Sequence, residues 1–301
     1  MPDPSASRFA RSVLQVAPPG PRHWVGDGFD VHTVFWPQRD AAATSPFLLL
    51  DFGARRSFPP AKRRRGVGEH PHRGFETVTF VYEGEVEHRD SGGGGGTIGP
   101  GDIQWMTAGS GVVHEEFHSK AFTERGGDFE VIQLWVNLPA RLKRTPPRYQ
   151  PILDRELPRL RIGAAEVRLV AGSLAGRRGP ARTHTPMLVF DGRFVEDGTA
   201  TFDVPKGWNV LALAIEGELA AGADAAGVPP AHFARFDPSG DGPIVLAGRA
   251  GTRFLGLAGE PIREPVAAYG PFVMNTREEL IQAFEDYQAG RMGHLAPREE
   301  G

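Results

Sequence analysis

The fold is decided by two short stretches, GEHPHRGFE at residues 68–76 and GSGVVHEE at residues 109–116. Each stretch carries two potential metal ligands in an i, i+2 pair, His70 with His72 and His114 with Glu116. Side chains two residues apart on a β-strand point to the same face, so each pair can aim at one point. We therefore predict two strands that bring three imidazoles and one carboxylate to a single ion.

The ligand types indicate which metal the site would hold. Three nitrogen ligands and one carboxylate suit a first-row divalent metal better than calcium or magnesium, which prefer shells of oxygen. Four protein ligands around an octahedral ion would leave two positions open for substrate or dioxygen. Glycines flank both pairs, and glycine permits the close backbone turns that such convergence needs. The pattern predicts a reactive site, whereas a lone His-x-His pair would be a weak signal.

Other ionisable residues near the two stretches leave alternatives open. Glu76 lies four residues after His72, so on a regular strand both side chains would point to the same face and Glu76 is a further candidate ligand. Gly74 could break that register. His118 lies two residues after Glu116, so on a strand both side chains point to the same face and His118 is a candidate pocket residue. We interpret His88 as structural.

The composition excludes several classes of protein. The chain has 301 residues, no cysteine and a formal net charge of -3. Without cysteine, disulfides and thiolate catalysis are excluded, and a metal must use nitrogen and oxygen ligands. The small net charge provides no field for nucleic acid, so direct nucleic-acid binding is not expected. There is neither a long apolar run nor a signal-peptide pattern, so we expect no membrane association and a cytoplasmic location.

The remaining pattern predicts an all-β protein. The 39 glycines and 27 prolines favour short strands joined by turns. Strand patterns lie on both sides of a Pro-rich run at residues 144–151, which is typical of a linker. We predict a metal-binding domain at residues 1–145 and a second β domain without metal ligands at residues 146–301. One C-terminal helix is expected at about residues 277–289, because Thr276 and Glu279 can form a capping box.

Two further features bear on a ligand pocket. One face of the strand at residues 129–138 combines aromatic bulk with the amides of Gln133 and Asn137, which is typical of a pocket wall. The alternative is that these amides face water at the rim. We take Trp105 as a third candidate pocket residue. The basic run Lys62–Arg65 is expected to be a solvated loop at the pocket lip, or a loop that attracts an anionic ligand.

These motifs together resemble the pirin family of the cupin superfamily. The resemblance rests on GEHPHRGFETVT at residues 68–79, PGDIQWMTAGSGVVHEE at 100–116, QLWVNLP at 133–139, and the tail segments GEPIREPV at 259–266 and YGPFVMNT at 269–276. It spans nearly the whole chain. Gly109 stands where general cupins usually have proline, and His118 where they usually have asparagine, and both departures are pirin-like.

The resemblance implies a bicupin, with two antiparallel jelly-roll barrels in tandem and a metal only in the N-terminal one. The metal ligands that it implies are His70, His72, His114 and Glu116. The implied metal is Fe(II), with Mn, Co, Ni, Cu and Zn as alternatives. In general cupins a glutamate shortly after His-x-His is often a ligand, a role that would fall to Glu76 and that pirins transfer to Glu116.

The resemblance also implies two functions of different classes. Some bacterial pirins are similar to quercetin 2,3-dioxygenases, which open a flavonol ring with dioxygen and release carbon monoxide. Glu116 would then be the catalytic base, acting on a flavonol or similar enol. Alternatively, pirins are implicated as metal- or redox-responsive regulators that bind protein partners, in which case Lys62–Arg65 would belong to an interaction surface. We expect a monomer.

Overall fold

The computed structural model describes residues 10–297, and contacts divide them into two compact units. The N-terminal barrel contains residues 21–41, 47–154 and 262–297. The C-terminal barrel contains residues 10–20, 42–46 and 155–261. Each unit therefore draws on separate parts of the chain.

Short strands dominate both units. In chain order the first elements are β1 (Val13–Ala17), β2 (Arg22–Val25), β3 (Phe29–Phe35), α1 (Pro37–Thr44), β4 (Phe47–Phe58), β5 (Gly66–His72), β6 (Phe75–Glu83), β7 (Val86–Asp90), β8 (Gly95–Ile98), β9 (Ile103–Thr107), β10 (Val112–His118), α2 (Lys120–Arg125), β11 (Gly127–Asn137) and β12 (Arg148–Ile152). The remaining elements are β13 (Arg159–Ile162), β14 (Ala165–Ala171), β15 (Ser173–Leu174), β16 (Arg177–Arg178), β17 (Met187–Phe194), β18 (Gly198–Phe202), β19 (Asn209–Glu216), β20 (Leu219–Ala221), β21 (Ala226–Val228), β22 (Phe233–Phe236), β23 (Ile244–Gly248), β24 (Arg253–Gly259), β25 (Ala267–Tyr269), β26 (Phe272–Met274) and α3 (Arg277–Gln288). Two 3-10 turns lie at Ala140–Leu142 and Asp154–Glu156.

Two antiparallel sheets form the N-terminal barrel. The larger has the order β12-β9-β6-β11-β4-β3-β2, and the smaller has the order β5-β10-β7-β8. An aromatic and aliphatic cluster that includes Phe58, Phe122 and Phe129 fills one part of its core. Both predicted ligand pairs lie in the smaller sheet, on the neighbouring strands β5 and β10.

The C-terminal barrel repeats this arrangement. Its sheets have the orders β1-β22-β19-β24-β17-β14-β13 and β18-β23-β20-β21. Inward-facing apolar side chains from both sheets form one large core cluster, in which the rings of Phe190 and Phe202 stack at 4.6 Å. Central strands such as β9 and β19 are buried along nearly their whole length. The predicted all-β bicupin architecture is confirmed.

The division of the chain corrects the boundary predicted at residues 145 and 146. Strand β1 belongs to the C-terminal barrel because it extends the edge of β22, with Val13 opposite Phe236 and Ala17 opposite Phe233. Residues 262–297 belong to the N-terminal barrel, where β25, β26 and α3 lie. The Pro-rich run taken as a linker contains β12, which pairs with β9 at a sheet edge. Local composition does not reveal such long-range pairing.

Helix α3 begins as its capping box predicts. The hydroxyl of Thr276 accepts a hydrogen bond from the backbone N–H of Glu279, and the Glu279 carboxylate accepts one from the backbone N–H of Thr276. Ala283 is fully buried and packs with Phe272 of β26, while Ile281 is half exposed. The helix therefore docks as core structure, with Ala283 on its buried face.

Candidate metal centre

The register of β5, β10 and β7 sets the positions of the candidate ligands. His70 lies opposite His114, and a bulge separates His114 from Glu116 on β10. On the other side of β10, His88 of β7 lies opposite Glu116. His70, His114, Glu116 and His88 therefore lie close together on three neighbouring strands of the smaller sheet.

The predicted ligands come together through one shared residue. The ring centroids of His70 and His72 lie 4.2 and 4.8 Å from that of His114. Ligand atoms of these three histidines all lie within 4.8 Å of one another. A second group within the same limit contains His88, His114 and Glu116. His114 belongs to both groups and so links Glu116 to the other two predicted ligands.

Each of the three predicted imidazole ligands engages its Nδ1 atom, which leaves its Nε2 atom for a metal. The Nδ1 atom of His70 lies 2.8 Å from the carbonyl oxygen of Gly68, and that of His72 lies 3.1 Å from the carbonyl oxygen of Pro271. The Nδ1 atom of His114 faces the Nδ1 atom of His88. Its Nε2 atom is buried and has no hydrogen-bond partner among residues 10–297. An orphaned buried nitrogen is costly, and a metal ion would satisfy it.

The protonation states favour metal binding. Burial, reinforced by the positive charge that His70 would carry, lowers the pKa of His72 to about 3. Burial likewise holds the pKa of His114 well below its ordinary value, with the neighbouring histidines adding to the effect. Both imidazoles are therefore neutral at physiological pH, which is the form that binds a metal.

A network of amides holds the carboxylate of Glu116. Gln104 donates its side-chain N–H to Oε1, Gln133 donates to Oε2 at 2.9 Å, and the hydroxyl of Thr79 lies 3.4 Å from Oε1. The hydroxyl of Tyr149 donates to Oε1 of Gln104 at 3.2 Å, which fixes the direction of that amide. These bonds orient the carboxylate beside the histidines.

His88, which the sequence analysis interprets as structural, lies directly behind the candidate ligand His114. Its Nδ1 atom lies 3.3 Å from Nδ1 of His114, and its Nε2 atom lies 3.0 Å from a carboxylate oxygen of Asp90. The ring of Tyr149 stacks on it at 4.8 Å. Both nitrogens are thus occupied, so His88 supports a ligand instead of binding the metal itself. The i, i+2 spacing of His88 and Asp90 on a neighbouring strand was the signal that could have indicated this.

A cavity of about 420 Å³, counted to its mouth, adjoins the candidate ligands. Its walls include His70 and Glu116, the polar side chains of Asp51, Thr79 and Gln133, and the apolar side chains of Val25, Phe29, Val31, Val67 and Val131. The mixture of apolar walls with a few polar groups is typical of small-molecule sites.

Of the three pocket residues predicted from sequence, the structure places only Gln133 on this cavity. Trp105 is fully buried, and since the preceding residue Gln104 reaches Glu116, Trp105 points to the opposite face of the sheet. Asn137 is buried and accepts a hydrogen bond from Nζ of Lys143 at 2.7 Å. Trp105 and Asn137 are therefore corrected from pocket walls to core residues.

The alternative residues Glu76 and His118 also lie away from the ligand groups. Glu76 accepts a hydrogen bond from the hydroxyl of Thr107 at 2.6 Å, and burial raises the pKa of Glu76 to about 7. Gly74, with φ +87°, ends the register that would have aligned Glu76 with His72. The Nε2–H group of His118 donates to the carbonyl oxygen of Gly28 at 2.9 Å, and the imidazole ring packs among phenylalanines.

The two ligand-bearing turns are tied to each other at glycines. The backbone N–H of Gly74 donates to the carbonyl oxygen of Gly109 at 2.9 Å. Both residues have positive φ, and a Cβ on Gly74 would lie 2.0 Å from the carbonyl oxygen of Val273. On Gly109 a Cβ would lie 2.1 Å from the carbonyl oxygen of Thr145. Larger residues would force these turns apart.

The C-terminal segment supports the site from outside. Besides the Pro271 carbonyl on His72, the buried guanidinium of Arg73 pairs with Asp286 of α3 at 2.6 Å and donates to the carbonyl oxygen of Ser110 at 2.7 Å. Buried Lys143 donates to the carbonyl oxygens of Gly74 and Val273, at 2.8 and 2.9 Å. The segment therefore anchors the strand ends that carry the histidines.

The basic run Lys62–Arg65 is partly bound to its own barrel. Arg64 pairs with Glu87 at 2.9 Å and donates to the carbonyl oxygen of His118. The guanidinium of Arg65 lies over the ring of Phe58. Arg63 is more open to solvent, since its side chain is 90% exposed, although its guanidinium lies 3.7 Å from the carboxylate of Asp27. No helix within residues 10–297 is long and apolar enough to cross a membrane.

Comparison with known proteins gives consistent matches along the chain. A family model described as pirin matches residues 28–136, and one described as pirin C-terminal cupin domain matches residues 189–293. A Pseudomonas aeruginosa protein whose name assigns it provisionally to the quercetin 2,3-dioxygenases is 48% identical over 283 residues, which cover 93% of this chain and 98% of the relative. A pirin-like protein of Solanum lycopersicum is 39% identical over 255 residues, covering 84% of each chain. The crystal structure of a quercetin 2,3-dioxygenase from Acinetobacter baumannii superposes with a TM-score of 0.91 at 44% identity, covering 95% of this chain and 99% of that one.

Proposed function

The chain belongs to the pirin family, and we propose that it is a metal-dependent dioxygenase of the quercetin 2,3-dioxygenase type. The substrates proposed are flavonols or related molecules with an enol hydroxyl, and the proposed metal is Fe(II). One observation carries the proposal: His70 and Glu116 of the candidate metal centre line one cavity, whose other walls combine apolar side chains with a few polar groups.

His70, His72, His114 and Glu116 are the residues that would hold the ion. The contacts of their Nδ1 atoms leave the Nε2 atoms of the three histidines for a metal, and burial lowers the pKa of His72 and His114. The amides of Gln104 and Gln133 orient the carboxylate of Glu116. A bound ferrous ion would supply a Lewis acid for the enol oxygen and a redox-active centre for dioxygen. A donor set of three imidazoles and one carboxylate suits such a metal.

Glu116 is the proposed proton acceptor for the enol hydroxyl. Its carboxylate lies on the cavity wall, where its Oε2 atom accepts, from the part of the chain that the structure describes, only the side-chain N–H of Gln133 and can accept a second hydrogen bond from a substrate hydroxyl. Gln104 holds Oε1 while the proton moves to Oε2. The valine-rich walls restrict water around this transfer, and this strengthens the electrostatic interactions inside the cavity.

Dioxygen uptake tests the proposal. The protein would be loaded with Fe(II) without oxygen, mixed with quercetin, and followed by an oxygen electrode together with carbon monoxide release. We expect uptake that matches quercetin loss and that falls by about 100-fold or more in Glu116→Gln, because a positioned base contributes on that scale. Asp128→Asn is the control, since Asp128 is exposed and bonds only to Ser57 among the described residues. Iron-loaded wild-type protein that consumes no dioxygen with any flavonol would contradict the proposal.

A further inference from the structure

Asp51 is a carboxylate on the cavity wall that the proposed chemistry does not use. Its Oδ1 atom accepts a hydrogen bond from the hydroxyl of Thr33 at 2.6 Å. Its Oδ2 atom has neither a hydrogen bond nor an ion pair within residues 10–297. The side chain is half-buried and lines the same cavity as His70 and Glu116. One acceptor oxygen is therefore available to a molecule in the cavity.

The strand register places Asp51 in a polar row that leads to the candidate metal centre. Residues directly opposite one another across the larger sheet are Thr33, Asp51, Gln133, Thr79 and Gln104, in that order. Opposite residues share a face of the sheet, so the row runs along one wall. Gln133, Thr79 and Gln104 contact Glu116, whereas Asp51 lies one strand further on, about 5 Å away along the row.

We propose that Asp51 is a specificity-determining residue that accepts a hydrogen bond from a second hydroxyl of the substrate, away from the enol oxygen. The inference rests on the proposed function, which it extends to a substrate class. That class is polyhydroxylated aromatic enols, whose enol end lies at Glu116 and whose remote hydroxyl lies at Asp51. The carboxylate also disfavours molecules with an anionic group at that end, because like charges repel.

The environment of Asp51 supports recognition over a purely structural role. Burial raises the pKa of Asp51, and the hydrogen bond from Thr33 only partly opposes that effect. A carboxylate that served only to bind Thr33 would be a costly choice at a half-buried position, since an uncharged acceptor could make the same bond. A hydroxyl donor from a ligand would compensate the desolvation that the pKa reflects.

Ligand binding without turnover tests the inference. The zinc-loaded protein would be titrated by calorimetry with quercetin and with the flavonol that lacks both hydroxyls on the pendant ring. Wild-type protein should bind quercetin more tightly, and Asp51→Ala should reduce this preference by about tenfold. Asp51→Asn, which keeps the shape, should reduce it about threefold, because a carboxylate is the stronger acceptor. It serves as the second variant if Asp51→Ala does not fold.

Two control variants separate recognition from general disturbance. Thr33→Val leaves the carboxylate in place and should retain the preference for quercetin. Asp128→Asn removes one exposed negative charge and should also retain it. An equal loss of affinity for both flavonols in the Asp51 variants, an unchanged preference, or no binding of either flavonol to wild-type protein would overturn the inference.

The binding test of Asp51 can succeed or fail separately from the test of dioxygen consumption. If iron-loaded protein consumes no dioxygen but the hydroxyl preference depends on Asp51, the proposed activity fails and the recognition role stands. If turnover is observed but the preference is the same in Asp51→Ala, the activity stands and the recognition role fails.

Discussion

His88 and His114 face each other through their Nδ1 atoms, 3.3 Å apart. A hydrogen bond between two such atoms requires that one carry the proton and the other accept it. His88 donates its Nε2 proton to Asp90, so a neutral His88 must accept at Nδ1, which assigns the shared proton to His114. The Nε2 atom of His114 is then a lone pair, buried and directed to the candidate metal centre. Asp90 thus sets the tautomer of a proposed metal ligand through one intervening imidazole.

Asp90→Asn should weaken metal binding by about 10- to 100-fold, the usual effect of losing a hydrogen-bond partner behind a ligand. The amide keeps the oxygen that accepts from the backbone N–H groups of Gly92 and Gly94. Its N–H group would donate to His88, which reverses the His88 tautomer and moves the proton of His114 to Nε2. Chelator competition measures the affinity. An unchanged affinity in Asp90→Asn, with Asp128→Asn as the charge control, would refute the relay.

Asp286→Ala should destabilise the N-terminal barrel by about 3–5 kcal/mol, because Arg73 would remain buried without its carboxylate partner. Although burial opposes it, hydrogen bonds from Arg73 and Arg291 hold the pKa of Asp286 well below its usual range, as expected for a strong pair. Urea unfolding measures the change in the free energy of unfolding.

The matched control for Asp286 is an exposed pair. Arg159 and Glu166 lie 3.5 Å apart and are about half exposed, so Glu166→Ala should cost no more than about 1 kcal/mol. Metal affinity should fall in Asp286→Ala as well, since α3 anchors the segment whose Pro271 carbonyl orients His72. Equal effects of the two variants on stability would contradict the anchoring role.

His118 should make the metal-free protein less stable in acid. Burial lowers the pKa of His118 to about 4, although the Gly28 carbonyl opposes the shift. The unfolded chain therefore binds more protons between about pH 4 and pH 6.5, and stability rises with pH through that window. Above pH 6.5 the imidazole is neutral in both states and the free energy of unfolding has its full value. As the pH falls from 6.5 to 4, the free energy of unfolding decreases by on the order of 3 kcal/mol.

Unfolding at pH 7 and pH 4.5 in the presence of a chelator tests this prediction. The loss of stability between the two values should be smaller in His118→Leu than in wild-type protein, because the variant has no imidazole to protonate. The lost hydrogen bond to Gly28 lowers the variant's stability at both pH values, so it does not affect the comparison. A pH dependence identical to that of wild-type protein would show that His118 does not titrate as described.

Local periodicity accounts for what the sequence could predict. The pairs His70 with His72 and His114 with Glu116 lie two residues apart, so a regular strand is enough to align each pair. The capping box of α3 is also local, with partners three residues apart in the chain. Such features need no knowledge of which strands pair.

The rest depends on pairing between distant parts of the chain. Trp105 was assigned to the pocket, but the side of the sheet it faces follows from the bond between Gln104 and Glu116. Likewise, the role of His88 follows from the pairing of β7 with β10, and the support of His72 by Pro271 joins residues 199 apart in sequence. The spacing of His88 and Asp90 places both on one face of a strand, but sequence spacing does not show which strands pair.

The metal content of protein purified without oxygen tests the ligand assignment most directly. Wild-type protein should contain roughly one divalent first-row ion per chain, and His114→Ala should lose most of it while keeping its fold. His23→Ala is the matched control, because His23 is exposed and lies outside both ligand groups. We predict full metal content in His23→Ala and little in His114→Ala. Full metal content in a folded His114→Ala variant would contradict the proposed centre.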